Sequence, residues 1–540
     1  MSKNRKNTLK AAATVTLALS LTLPAASALA ASPAPVSQSG TALAPLRETA
    51  TGLGATVHWD QNKQTITVKK GAHVLVLQPN KKEALLDGQT VTLNNSVRIV
   101  SGQTLIEPAF MNKIFPTAET PADPADDFMD LLKAGNGTEA AAYVGPEAAV
   151  LLSADVLGKL WSNYESIFGK VSGQAVKTEA TNSVHRNVTY TFQAANTPFL
   201  VTLRMNAQGQ IDDFFANTVT PSLYQKPAYD NSDAYTEQEI TVGEGAMALP
   251  GTLTLPKGDG SFPAVVLVHG SGPHDRDSSI GSAKVFRDLA AGLASQGIAV
   301  LRYDKITYEH SMKVSADPKF TLKRETVDDA LAAVKLLKNN AKIDASKIFV
   351  AGHSQGAFAV PMMIDADKND DIAGAILLSG PSGKFADILA LQQKELVSRV
   401  KQSGLDTTLF EQQAAQYTAV ADMVNDPKYT VDNMPANFPM PPAYWWYEQK
   451  NYVPSEVAKK QTGPLLILQG ENDWQVPLSQ LDGWKQALKD RTDVEYKSYP
   501  KVNHLLAEYD GISIGSEYYQ PSNVSKSIVD DIAAWVKKTK

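Results

Sequence analysis

"VAGHSQGAF" occupies residues 350–358 and sets Ser354 between Gly352 and Gly356. A Gly-x-Ser-x-Gly string arises often by chance, so its flanks decide its meaning. Before it, "KIFVA" (347–351) is an apolar run of strand type. After it, "AFAVPMM" (357–363) can open a helix. Strand, tight turn, helix is the context a nucleophile elbow requires. The glycines have a physical reason: strand and helix approach too closely for larger side chains, and the serine must adopt a strained backbone. Ser354 Oγ is then expected to stand clear of a sheet, within reach of a base.

Around this elbow, apolar strands alternate with helices. "EITVGEGAMALPGTLTLP" (239–256) reads as an antiparallel opening pair, and "FPAVVLVHGSGP" (262–273) as a buried strand ending in a Gly-rich turn. "VFRDLAAGLASQGIAVLRYDK" (285–305) and "ETVDDALAAVKLLKNNAKID" (325–344) each carry a helix toward the next strand. "IAGAILLSGP" (372–381), "GPLLILQGEND" (463–473) and "VEYKSYPKVNH" (494–504) add three strands, and "SIVDDIAAWVKK" (527–538) closes as an amphipathic helix. Such alternation implies an α/β fold with a mainly parallel sheet covered on both faces.

A serine needs a base. Of the eight histidines only His504 follows the elbow in sequence, and the order expected on such a fold is serine, acid, histidine. The acid should follow the penultimate strand, where Asp473 and Glu471 compete. An oxyanion hole needs two backbone N–H groups. Gln355, the residue after the nucleophile, supplies one, and Ser271 in "VHGSGP" is the candidate for the other, with Gly272 behind it. His269 is expected to brace its loop. "HDRD" (274–277) offers a metal reading, but consecutive residues do not all face one ion. A charged loop rim is expected instead, with Arg276 orienting the loop or a substrate carboxylate.

Residues 235–540 thereby resemble the α/β-hydrolase superfamily. The nearer likeness is to bacterial carboxylesterases and serine-aminopeptidase-like hydrolases that carry "HGSGPxDRD" (here 269–277) and "LRYDK" (301–305). The resemblance implies Asp473 as the acid, through its "D-x-x-V-P" register. It also implies a triad of Ser354, Asp473 and His504 with no cofactor and no metal. Ala357 departs from the second glycine of many relatives. Residues 383–460 interrupt the strands with helical runs and the aromatic "MPANFPMPPAYWWYEQ" (434–449), the usual place of a helical cap. Tyr444, Trp445 and Trp446 either line a pocket or form the core of that cap.

Two smaller units precede this domain. Residues 41–116 are strand-rich, with hairpins around "DQNKQ" and "DGQ" and a faint echo between "ALAPLRETA" (42–50) and "TLIEPAFMN" (104–112). "PLRETATGLGATVHWDQNKQTITV" (45–68) and "SGQTLIEPAF" (101–110) resemble the N-terminal, or stalk, domain of copper amine oxidases. The name implies no copper, and His58 and His73 lack further ligands nearby in sequence. An accessory or cell-wall contact is the expected role. "TAETPADPADD" (117–127) reads as a linker. In residues 128–222, Phe128, Leu131 and Leu132 share a helix face, Ser153 or Asp155 caps a second helix, and "HRNVTYTFQ" alternates before a hairpin at "NAQGQ". This α+β unit resembles the nuclear-transport-factor-like domains that precede secreted hydrolases. No convergent polar set is visible in it, so packing or substrate presentation is expected.

The first ten residues hold four basic groups and no acid. An apolar run, Pro24 and "ASALA" follow. This is a secretory signal, expected to be cleaved after Ala30, with a Pro/Ser linker at 31–40. An uncleaved anchor is the alternative, although the run is short for a span. Loss of that leader takes the formal charge from −6 to −10. So acidic a chain, without a basic cluster, is a poor partner for nucleic acid or anionic membranes. The absence of cysteine excludes disulfides, thiol catalysis and a lipoprotein anchor. A secreted or cell-surface bacterial serine hydrolase acting on small carboxylic esters is the expected function. A peptidase, an acyltransferase, or a surface-binding protein with a relic hydrolase domain are the alternatives.

Overall fold

The computed structural model describes residues 43–539, apart from Ala72, Ser101, 116–122 and Thr220. The leader and the 31–40 linker lie outside the described residues. Two compact units result, divided at Asp127.

The N-terminal unit holds a five-stranded antiparallel sheet (Thr56–Asp60, Thr65–Lys70, His73–Leu77, Glu83–Leu86, Gln89–Thr92) in chain order. The "DQNKQ" turn forms because the Asp60 carboxylate accepts the Asn62 and Lys63 N–H groups. The two echoed segments become matching strand–helix pieces, and Ala44 pairs with Ile106. Ile66, Val68, Leu75 and Leu77 point inward at alternating positions. His73 pairs with Asp87 at 2.7 Å on the exposed surface.

The helix that leads into the second unit starts earlier than the sequence suggests. "DPADD" is a helix start within the expected 117–127 linker: Pro124 begins the helix Pro124–Lys133, and the Asp123 carboxylate accepts the Ala125 N–H. Asp126 and Asp127 complement the helix dipole there. Phe128, Met129 and Leu132 are buried, whereas Leu131 is only half-buried. Ser153 Oγ accepts the Val156 N–H and caps the helix Ala154–Phe168. Four antiparallel strands follow (Val171–Thr181, Arg186–Ala194, Phe199–Met205, Ile211–Thr218) in meander order. Their core is aromatic, with Phe168 stacked on Phe199 at 4.5 Å and Trp161 edge-on to Phe192.

The same unit continues into an eight-stranded sheet. Its strands are β1 (Tyr235–Val242), β2 (Leu249–Pro256), β3 (Phe262–Val268), β4 (Ala299–Tyr303), β5 (Ile343–His353), β6 (Gly374–Leu378), β7 (Leu465–Gly470) and β8 (Val494–Tyr499). The order is β1-β2-β4-β3-β5-β6-β7-β8. β2 runs antiparallel to β1 and β4, and the others are parallel. The central strands read as unbroken apolar runs because both faces are covered. The helices that bear on the site are α1 (Val285–Ala294), α2 (Ile306–Glu309), α3 (Asp328–Lys338) and α4 (Gln355–Ala366). The cap is built from α5 (Phe385–Gln402), α6 (Thr408–Asn425) and α7 (Ala443–Glu448), inserted between β6 and β7. Lys323–Val327 forms a π turn leading into α3, a local underwinding that sequence periodicity does not reveal. No helix among the described residues is long and apolar enough to cross a membrane.

Candidate active site

The elbow is crowded in the way its glycines require. Ser354 has φ 54° and ψ −116°, a conformation that L residues rarely adopt. A Cβ on Gly352 would lie 2.4 Å from the Gly356 carbonyl carbon, and one on Gly356 would lie 2.3 Å from the Val268 carbonyl oxygen. α4 therefore packs directly on the end of β3, where the Gly-rich loop begins. A Gly356→Ala variant is expected to lose about 1–3 kcal/mol of stability, read as a lower urea midpoint, and to lose activity with it. Ala357 is fully buried, and its methyl fills the space against Gly380.

Asp473 and His504 come together. His504 Nδ1 lies 2.8 Å from Asp473 Oδ2, and both side chains are buried. Asp473 Oδ1 accepts the Gln475 and Val476 N–H groups. Burial pushes the Asp473 pKa up, but the His504 charge, its hydrogen bond and the Val476 N–H outweigh that and hold it below the usual value. An ionised Asp473 makes Nδ1 the nitrogen that donates to it, which turns the other ring nitrogen, Nε2, into the lone-pair side of the imidazole. Glu471 instead accepts the Ser498 hydroxyl at 2.7 Å on the exposed side of the same turn. His504 is also fixed to the elbow. His353, the residue before Ser354, donates its Nε2–H to the His504 carbonyl at 2.8 Å, and the two rings lie 4.7 Å apart. Burial and the nearby His504 charge push His353 down to about 3, so it serves as a neutral donor.

The Gly-rich loop lies against Ser354: a Cβ on Gly270 would be 3.2 Å from Ser354 Cβ. His269 Nε2–H donates to the Asp275 carbonyl at 3.0 Å, the expected bracing role. Burial holds its pKa well below the usual value. His274 is a second brace, which the motif alone does not announce. Its Nε2–H donates to the Ser271 carbonyl at 2.7 Å, and burial with the Lys305 charge pushes it down to about 4. Arg276 faces the protein. It bonds Asp304 through Nε and Nη2, and Glu239 and Thr252 through Nη1, so it orients the loop. Asp275 accepts from Ser279, and Asp277 from Arg302 and Lys284. These side chains diverge, as a loop rim does.

Trp445 and Trp446 sit in the cap core, packed edge-on to each other at 5.2 Å and against Phe385. Trp445 Nε1–H donates to Glu325 Oε2 at 2.7 Å. A cavity of about 40 Å³, room for a water or two, lies at the other end of α4, between Ile364, Ala373 and Arg491.

The α+β part docks on the hydrolase part through a polar set that sequence reading does not find. His185 lies between Asp212 and Glu309, at 2.8 Å from each. Arg204 pairs with Asp213 at 3.1 Å and Glu309 at 3.4 Å, stacked between Phe215 and Tyr308. Lys313 pairs with Asp212 at 2.8 Å. Burial pushes Asp213 up, yet Arg204, Ser311 and the Met312 N–H are all donors to it, so the carboxylate is the form that fits. Three positive groups thus face three negative ones. Nitrogen and oxygen atoms of His185, Asp212 and His310 lie within 4.8 Å of one another, a metal-like spacing. Both His185 nitrogens and the Asp212 oxygen are already engaged by protein groups, however, and Lys313 occupies a cation's place. A divalent ion would unbalance the set.

The family model "Copper amine oxidase N-terminal domain" matches residues 26–118, and "Serine aminopeptidase, S33" matches residues 261–509. Esterase EstD of Thermotoga maritima is 32% identical over 414 residues, covering 76% of this chain and 94% of that protein. Among solved structures, Est1E of Butyrivibrio proteoclasticus is 18% identical over 56% of this chain and 98% of its own, with a TM-score of 0.36. A puromycin-hydrolyzing peptidase of Mycobacterium tuberculosis is 18% identical over 65% of this chain, with a TM-score of 0.37, and the chain spans 46% of its length. The chain belongs to the family of Esterase EstD and is a hydrolase with the α/β-hydrolase sheet.

Proposed function

We propose that the protein is an exported serine esterase working through Ser354, His504 and Asp473. Ser354 Oγ attacks the acyl carbon of a carboxylic ester as His504 Nε2 takes its proton. The N–H groups of Ser271 and Gln355 hold the oxyanion, and Asp473 stabilises the imidazolium. His504 then protonates the leaving alcohol, and water, activated by the same base, releases the acid from the acyl-enzyme. The 2.8 Å bond between His504 and Asp473, with His504 tied through its carbonyl to His353 beside the strained Ser354, carries this proposal. The basic, apolar and small-residue order of the leader supports export, and the 26–118 module suits contact with a cell surface. The serine-aminopeptidase match favours one second reading, aminoacyl amides as substrates on the same groups.

A fluorophosphonate probe tests the first step. The mature protein should label and Ser354→Ala should not. Hydrolysis of aryl esters well above that of aminoacyl amides favours the esterase, and the reverse order the peptidase. A folded protein that takes no label contradicts both.

A further inference from the structure

Lys305 follows β4 and is almost fully buried, with 2% of its side chain exposed. Its ammonium donates to the Gly270 carbonyl oxygen at 2.7 Å and pairs with Glu325 Oε1 at 2.7 Å. Glu325 is delivered by the π turn, and its other oxygen takes the Trp445 Nε1–H from the cap. The Gly270 carbonyl and the Ser271 N–H belong to one planar peptide group. That peptide lies against Ser354.

A cation bonded to an amide oxygen does two things. It draws electron density from the group, which strengthens the N–H at the other end as a donor. It also fixes the plane, because turning the N–H away from the nucleophile would break the bond to the ammonium. The following carbonyl, of Ser271, is held separately by His274. A buried ion pair is weak evidence of stabilisation in itself. This one is aimed at a single peptide beside the nucleophile.

We propose that Lys305 is a positioning residue of the oxyanion hole, acting through the Gly270–Ser271 peptide, with Glu325 and Trp445 holding its ammonium in place. The inference rests on the roles given above to Ser354 and Ser271. Lys305 does not touch substrate. It raises the affinity of the Ser271 N–H for developing negative charge and leaves ground-state binding alone.

The test uses the mature chain with Lys305→Met and Glu325→Gln together, so that no charge is left buried. Substrate is p-nitrophenyl acetate, and the second probe is an aryl trifluoromethyl ketone, whose tetrahedral adduct on the serine carries an oxyanion. The expected result is a kcat lowered about 10- to 100-fold with KM changed less than about twofold. Ketone affinity should fall by the same factor as kcat/KM. Lys305→Arg, which keeps a cation, should restore most of kcat. If the double variant does not fold, Lys305→Gln with Glu325→Gln keeps a donor on Gly270, and its kcat should still fall at least about fivefold. A folded variant that matches wild type in both kcat and ketone affinity overturns the inference while leaving the triad standing. Full activity in Ser354→Ala removes the triad and this inference together.

Discussion

His504→Ala is expected to lower kcat for an aryl ester by roughly four to six orders of magnitude, with little change in KM. No other histidine replaces it. His353 is committed as a donor to the His504 carbonyl, and His269 and His274 to carbonyls of the Gly-rich loop. The companion variant, Asp473→Asn, probes the hydrogen bond itself. A carboxamide can donate to Nδ1, which moves the imidazole proton to Nε2 and removes the lone pair that serves as base. A loss of roughly 10⁴-fold is expected with the fold intact. Stopped-flow or long-time assays of purified variants, with a Ser354→Ala blank to set the background, would measure both. Retention of more than a tenth of kcat in His504→Ala would remove His504 from the chemistry.

The second large effect concerns stability. Arg204→Met leaves Asp213 and Glu309 facing each other's charge in a buried site, and a loss of about 3–5 kcal/mol is expected. A lower denaturation midpoint for the α+β part, followed through the fluorescence of Trp161, would show it. The same contacts should depend on pH. Burial lowers the His185 pKa, but Asp212 and Glu309 outweigh it and the net shift is upward. A group with a raised pKa stabilises in full below its unfolded value of 6.5 and loses that contribution as pH rises through the folded value. Asp212 behaves oppositely. Burial raises it, but His185 and Lys313 bring it down to about 2, so its contribution is present above 3.8 and lost as pH falls toward 2. Arg204, Lys313, Asp213, Glu309 and the neutral His310 complete the surroundings. His310, which burial pushes down to about 4, costs stability as pH falls below 6.5, so docking should be firmest near about pH 6.5 and should weaken as pH rises through the folded value of His185. A midpoint that does not change from pH 6 to pH 9 would contradict this assignment.

The elbow and the order of the chemical groups were legible because they are local or fixed by topology. Gly352, Ser354 and Gly356 lie within five residues, and parallel strands deliver their following loops to one edge of the sheet. His504 stands out in the sequence because no other histidine follows Ser354. The docking contacts were not legible. Arg204 and Asp213 are cross-strand partners, His185 precedes another strand, and Glu309 and Lys313 belong to a different part of the chain, so only the assembled register brings them together. Lys305 and Glu325 were hidden for a related reason. "LRYDK" marks a subgroup but not a role, and the π turn rotates Glu325 off the face that an α-helical count assigns to it. The start at Pro124 was missed because proline and aspartates serve a linker and a helix N-terminus equally well.

The docking surface also bears on where this gene can be cut. A clone beginning near residue 235 would keep all eight strands of the large sheet and look complete on paper. It would strand Glu309 and Lys313 without their counter-charges and strip the Tyr308 ring of its cover. It would also delete the 221–234 crossing, where Tyr224 bonds Asp288 and Tyr229 bonds the Val524 carbonyl. These contacts come from the meander and the crossing, within the compact unit that runs from Phe128 to the C-terminus, so the accessory part is inherited with the hydrolase as one object.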